Sequence, residues 1–408
     1  MRSESTFPTS LPQLIELLRS RGIAGELIRG SAGSLAVKVG SIALKFAAGV
    51  VLARLLGPEG YGVYTYAFTI VTILAVPTQL GLPNLIVRFV AQYQVQERWR
   101  MLRGLLKRAN LVVLLLSISI ITLAGGITGY VYEGVQHEKA LTMFWALGLL
   151  PLLALGELRG AALRGLRHLI LGLIPEKVVR WGVLALLTLL GYFFVWDGTL
   201  RPSQAMMLHA FSALLAYSLG AWWLVKRFPR SAQKVEPKYE MSEWLSVSLP
   251  FLLTGGMQIL NNRLDILILA GFWDDAEVGI YEVAVQVSFL ISLGLSAVNM
   301  LVGPYFSRFY NEGDQLRLQK LVSAAVGLSI ITALPALLLL LGFGSQVLDW
   351  VFGADYTRGY SALVLLCFGQ FSHVASGSVG LLLNMTEREW LTLKGVAIAT
   401  TLRSEERL

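Results

Sequence analysis

Charged and strongly polar side chains that interrupt apolar runs are the places where this sequence could do chemistry. An ionisable group at bilayer depth is costly unless it lines a cavity or meets a partner. Lys45 falls near the middle of one such run, with Lys38 seven residues earlier on nearly the same helical face and Arg54 toward the far end of the same run. Asn261, Asn262, Arg263 and Asp265 interrupt a later run. These groups predict a cationic cavity that attracts an anionic head group, a phosphate or an acidic sugar, with the asparagines and Asp265 as its polar lining. The competing reading is that the cations pair with acids such as Asp265, Glu157 or Glu282, and that Lys38 extends to the membrane surface. Glu157 and His209, in two further apolar runs, have the chemistry either to carry protons or to serve as structural partners. No residue is expected to be catalytic and no metal or cofactor is expected. There is no His or Cys metal spacing, no GxSxG and no GxxxxGK[ST], and the single Cys367 lies in an apolar run.

The elements that must position these groups follow from composition. Asp, Glu, Lys and Arg make up 15% of the 408 residues against 55% hydrophobic, and the mean hydropathy is +0.62. A soluble domain carries roughly a quarter charged residues, so the chain is predicted to be an all-α integral membrane protein. Apolar runs of the roughly 20 residues needed to cross the hydrocarbon place spans at 35–56, 62–80, 109–130, 141–161, 178–196 and 206–225, then at 245–272, 279–301, 321–343 and 361–383. The formal charge of +8 is dispersed between these runs, which argues for topology rather than nucleic acid. Lys and Arg number twenty-five in one alternate set of connecting segments and three (Lys139, Arg201 and Arg358) in the other. That bias predicts an N-terminus in the cytoplasm of a cell whose inner membrane holds the protein. Trp196, Trp244 and Trp273, near span ends, read as an interfacial belt. Pro77, Pro175, Pro250 and Pro335 are candidate kinks.

The two halves of the chain resemble each other. Gly62, Tyr64 and Ala67 recur as Gly279, Tyr281 and Ala284 at a shift of 217, which carries Lys45 onto Asn262 beside Arg263. Six spans separate the copies, an even number, so the repeats are predicted to be parallel lobes around an axis along the membrane normal. The expected organisation is an interfacial N-terminal segment (1–30) with Leu14, Leu17, Leu18, Leu27 and Ile28 on it, a six-helix N-lobe (31–227), a cytoplasmic linker (228–243) and a C-lobe (244–408). The C-lobe is read as incomplete. After four full spans, a helix starting near Leu391 is too short to cross before the chain ends, as expected of a truncated version. Asn384-Met-Thr386 matches a glycosylation sequon but falls in a predicted cytoplasmic loop.

The run from Leu52 to Tyr64 (LARLLGPEGYGVY), Gly81-Leu82 with Arg88, Leu163-Arg-Gly-Leu-Arg-His168, the run from Leu173 to Arg180 (LIPEKVVR), and Asp265 ahead of Gly279-Ile-Tyr281 together resemble the bacterial polysaccharide and oligosaccharide flippases. That is the O-antigen translocase type within the MATE-like superfamily. The resemblance implies a two-lobe helical bundle that moves a lipid-linked oligosaccharide on a polyprenyl diphosphate carrier between leaflets by alternating access. Membrane lipids and polysaccharide polymerase or assembly proteins would be its partners, and nucleic acid would not. A multidrug or small-solute exporter of the same superfamily is the nearest rival, although cations on the first span suit an organic-cation exporter poorly. An integral membrane polymerase or ligase would need a long catalytic outer loop, whereas the longest here is 344–360.

Overall fold

The structure, a computed structural model, describes residues 23–131, 137–379 and 382. The expectations for residues 1–22, for the sequon and for the helix near Leu391 lie outside them. Helix α1 (Ile23–Gln79) is really two helices that meet at Gly57, where φ 67° and ψ 174° break the path. The local sequence explains the break, since Pro58 disfavours a helical residue before it and only glycine takes positive φ freely. A second turn at Gly81 (φ 69°) leads into α2 (Leu82–Val95). There follow α3 (Trp99–Val131), α4 (His137–Gly165), α5 (Leu169–Ile174), a π-helical turn (Pro175–Val179), α6 (Arg180–Phe194) and α7 (Pro202–Arg227). The second half holds the short α8 (Arg230–Gln233), then α9 (Met241–Phe272), α10 (Asp275–Ser288), a 3-10 turn (Phe289–Ser292), α11 (Leu293–Asn311), α12 (Gln315–Phe352), another 3-10 turn (Ala354–Gly359) and α13 (Tyr360–Ala375). Among the described residues there is no strand.

The bundle is built for lipid. Leu111, Leu114, Leu115 and Ile118 on α3 and Leu328, Ile331, Leu334, Leu338 and Leu339 on α12 are exposed at spacings of three, four and seven, forming apolar stripes that only a bilayer would cover. Six described helical stretches, Ala36–Gln79 among them, are long and apolar enough to cross a membrane. Between helices the contacts are made by small residues. Ala146, Ala154, Ala161 and Ala162 on α4 and Ala205, Ala213, Ala216 and Gly220 on α7 are all buried, which allows the close backbone approach that replaces the hydrophobic effect inside a membrane.

The bundle has a basic end, carrying Arg98–Arg108 and residues 228–240, and a far end at Gly57. At the far end the halves are joined directly. A Cβ on Gly62 would collide with the carbonyl of Asp275, and one on Gly279 with the carbonyl of Pro58. These collisions are related by the same shift of 217 that the sequence shows, so α1 and α10 cross about a local two-fold axis at their glycines. Lys139 Nζ lies 2.5 Å from Asp275 Oδ2, and Tyr356 Oη donates to Ala53 O at 2.8 Å. At the basic end residues 235–240 lie along α3. Lys238 N donates to Arg100 O at 3.0 Å and Arg103 Nη1 to Val235 O at 2.6 Å. Trp244 Nε1 then donates to Tyr93 Oη at 3.0 Å, fixing the start of α9 on the first half.

Several boundaries differ from the sequence reading for local reasons. The fifth span begins at Leu169 rather than 178, because Pro175, which lacks an N–H, is absorbed into a π-helical turn instead of starting the helix. The ninth continues to Phe352 and the loop expected at 344–360 is mostly helical, with Tyr360 Oη donating back to Leu341 O at 2.6 Å. Pro250 and Pro335 sit inside continuous helices and Pro77 within the last turn of α1.

Candidate functional site

Charged and polar groups that interrupt the apolar helices meet along the seam between the halves. On α1, Lys45 keeps accessible surface and its Nζ stands 5.8 Å from the centre of the Trp181 ring. Its charge interacts with Arg263 and Glu282 of the second half and with Arg180 and Lys177 of the first. Trp181 is therefore near two cations, since the Arg180 guanidinium lies 5.0 Å from the centre of the same ring. Such faces attract cations through the ring quadrupole. The ring continues a column of aromatic groups, Tyr61, Tyr64, Phe68, His209 and Trp181, with centroid separations of 4.9–6.3 Å.

Across the seam, Arg263 Nη1 sits 3.3 Å from Glu282 Oε2. The other oxygen, Glu282 Oε1, accepts from Gln286 Nε2 at 3.4 Å, and the same amide reaches Tyr61 Oη on α1. Gly49 makes this reach possible, because a Cβ there would collide with the Gln286 amide. A chain of groups thus runs from Arg263 through Glu282 and Gln286 to Tyr61, crossing from one half to the other. Asp265, two residues from Arg263, takes the Tyr281 hydroxyl at 2.9 Å and its neighbour's amide, Ile266 N, at 3.0 Å. Asn261 is half-buried and Asn262 exposed on the same helix.

The remaining sequence candidates are distributed elsewhere. Glu157 lies inside the first half, 3.1 Å from Lys177 Nζ and 3.8 Å from Arg164 Nη2. His209 is fully buried, with Nδ1 2.7 Å from Tyr64 Oη. Lys38 is exposed on α1, about two turns before Lys45 on nearly the same face. Arg54 lies at the far end, where Nε donates to Val351 O at 2.7 Å and Nη2 to Trp350 O. It closes the C-terminus of α12, whose last carbonyls and dipole favour a cation. Structure thus brings Lys45 and Arg263 into one neighbourhood and puts Arg54 on an interhelical brace.

Sequence reasoning missed four contributors. Arg180 counts as a topology charge in the sequence, and Glu176 appears there only within the LIPEKVVR motif. They are buried within the helical bundle, 8% and 5% exposed, with Arg180 Nε 3.5 Å from Glu176 Oε2. Their i, i+4 spacing was the available signal. Trp181 and Gln286 carry no signal of their own, although Glu282 and Gln286 share that same spacing. Around the seam Lys45, Arg180 and Arg263 stand with Glu176, Asp265 and Glu282, while Arg164 and Lys177 surround Glu157 inside the first half. An accessible lysine beside an aromatic face, with a half-satisfied arginine across the seam, can attract an anion. Among the described residues no group of three His, Cys, Asp or Glu side chains could hold a metal ion.

Comparison with known proteins places this architecture. Residues 27–310 match the polysaccharide biosynthesis protein family. The probable low-salt glycan biosynthesis flippase Agl15 of Haloferax volcanii is 21% identical over 382 residues, covering 92% of this chain and 76% of the relative. Among solved structures, the inward-facing conformation of a multidrug resistance MATE transporter of the MOP superfamily superposes with TM-score 0.70 at 15% identity, over 90% of this chain and 87% of the other. The lipid II flippase MurJ in an inward closed conformation does so with TM-score 0.68 at 14% identity, over 89% and 78%. At these identities the structural likeness concerns the fold, that of two-lobe helical membrane transporters.

Proposed function

Because this chain belongs to the polysaccharide biosynthesis protein family, its match covering residues 27–310, we propose that it is a flippase for a lipid-linked oligosaccharide. It would move this substrate from the inner to the outer leaflet of the cytoplasmic membrane by alternating access. The observation that carries this reading is the pair of cations at the seam, Lys45 and Arg263, on opposite halves and within electrostatic range of each other. A diphosphate or acidic sugar held there would be shielded from lipid on both sides, and the polyprenyl chain could remain in the bilayer. The Lys and Arg bias supports a basic end in the cytoplasm and ten spans in the residues up to 383. Glycan polymerase or assembly proteins are the partners that such a role calls for.

The test is a leaflet-specific assay of lipid-linked glycan in a deletion strain carrying the wild-type gene or Lys45→Ala. The wild type restores the outer-leaflet pool. Lys45→Ala, which removes a cation without orphaning a carboxylate bound to it, should leave protein abundance unchanged and cut export by about tenfold or more, the scale of one charge-assisted contact. Normal export by this variant removes Lys45 from substrate contact, and an unchanged glycan in the deletion strain would point to an exporter of other solutes.

A further inference from the structure

We propose that Glu282 is a tethered counter-anion: it occupies Arg263 until the anionic head group of the substrate displaces it, and its release loosens the seam between the halves. This rests on the reading of the seam as the substrate site and names how that site is regulated.

The case is geometric. Glu282 is 7% exposed and places one oxygen on Arg263 and the other on Gln286. The contact to Arg263 is a single 3.3 Å approach rather than a two-pronged pair, which leaves the remaining guanidinium N–H groups for an incoming oxyanion. Lys45, in electrostatic range of both Arg263 and Glu282, adds attraction for a second negative charge. An anion entering between Lys45 and Arg263 therefore competes with Glu282 for the same cation. A diphosphate carries more charge than one carboxylate and can be bidentate, so it should win the exchange.

The second half of the inference concerns what Glu282 is holding. Gln286 lies one turn along α10 from Glu282 and spans both that carboxylate and Tyr61 of the first half. Moving the carboxylate leaves Gln286 with one fewer anchor in its own half. The repeat offers an internal contrast, because the shift of 217 places Thr65 where Glu282 stands and Thr69 where Gln286 stands. The first half has only hydroxyls at these positions, so the exchange belongs to the second half alone. Gly49 leaves the room that the Gln286 amide needs on the first half, since a Cβ there would collide with it.

The experiment uses purified full-length protein and inorganic pyrophosphate as the probe. Wild-type protein is treated with a water-soluble carbodiimide with and without pyrophosphate, and modification of Glu282 is mapped by peptide mass spectrometry. Displacement predicts that pyrophosphate increases modification of Glu282 several-fold. Unchanged or reduced modification with pyrophosphate demonstrably bound overturns the proposal and leaves the anion-binding seam standing. Failure of the wild type to bind pyrophosphate at all overturns both. In parallel, Glu282→Gln removes the competing charge and should bind pyrophosphate about tenfold more tightly while exporting glycan more slowly. A Glu282→Gln protein that folds and binds pyrophosphate no better than wild type also overturns it. If that variant does not fold, the carbodiimide measurement on the wild type decides alone.

Discussion

Tyr64 and Tyr281 stand at equivalent positions of the two halves, and each hydroxyl meets an ionisable side chain of its own half, His209 for Tyr64 at 2.7 Å and Asp265 for Tyr281 at 2.9 Å. The surroundings differ. His209 is fully buried against Phe68 and Trp181, whereas Asp265 is only partly buried and also accepts a backbone amide. Losing one partner of a buried polar group costs about 1–3 kcal/mol, against about 0.5–1.5 kcal/mol for an ordinary hydrogen bond. Tyr64→Phe should therefore lower the melting temperature of the purified protein more than Tyr281→Phe. Equal shifts would mean that the imidazole does not depend on that hydroxyl. At this scale the sequence was legible where a charge stood alone in an apolar run, which is how Lys45 and Arg263 were found. It was mute for Trp181 and Gln286, whose residue types are ordinary in a membrane helix. It misled for Arg180, because a cation near a span end looks the same whether it reports topology or closes a buried ion pair.

Between helices, the crossing of α1 and α10 turns a weak repeat signal into a structural constraint. Gly62 and Gly279 were visible in the sequence as two of the few identities between the halves. Their purpose was not, because a glycine that permits close approach and one that merely ends a turn are written identically. In the structure the space at each is filled by backbone of the other helix, which cannot move aside as a side chain could. Gly62→Ala and Gly279→Ala should each destabilise the protein by about 1–3 kcal/mol, the range for overfilling a packed contact. The two losses should be similar, since the sites are related by the local axis. Gly126→Ala, where a Cβ meets nothing within 4 Å, should be neutral or slightly stabilising because alanine is the better helix former. Thermal unfolding of the three variants in one detergent measures the ranking, and tolerance at Gly62 equal to that at Gly126 would show that the helices separate freely there. The break at Gly57-Pro58 was legible in kind, as a turn between two spans. The continuation of α12 past 343 was not, because Gly342 and Gly344 look like helix stops until Tyr360 is seen packed against Gly344.

For the molecule as a whole, class and helix order follow from hydropathy alone, while orientation depends on which charges are counted. Arg180 and Lys177 were part of the basic tally, yet they sit in ion pairs within the first half, so they report less about topology than Arg98, Arg100, Arg227, Arg230 and Lys234. Those five lie in or next to the connections at the basic end, and the opposite connections remain nearly free of cations. The positive-inside rule then still predicts a cytoplasmic basic end, the orientation proposed above. The chain offers a clean way to check this, because its one cysteine, Cys367, is buried and should not react with a polar maleimide. Ser231 is exposed at the basic end and Thr199 exposed at the far end. In intact cells Thr199→Cys should be labelled by a membrane-impermeant maleimide, and Ser231→Cys only after permeabilisation. The outcome bears on more than topology. The far end is where α1 and α10 close on each other and Lys139 meets Asp275, so labelling in this sense would mean that the structure is sealed toward the outside, with the seam left to fill from the cytoplasmic leaflet. Labelling of Ser231→Cys without permeabilisation would invert the protein, and with it the direction in which Lys45 and Arg263 could pass a substrate across the membrane.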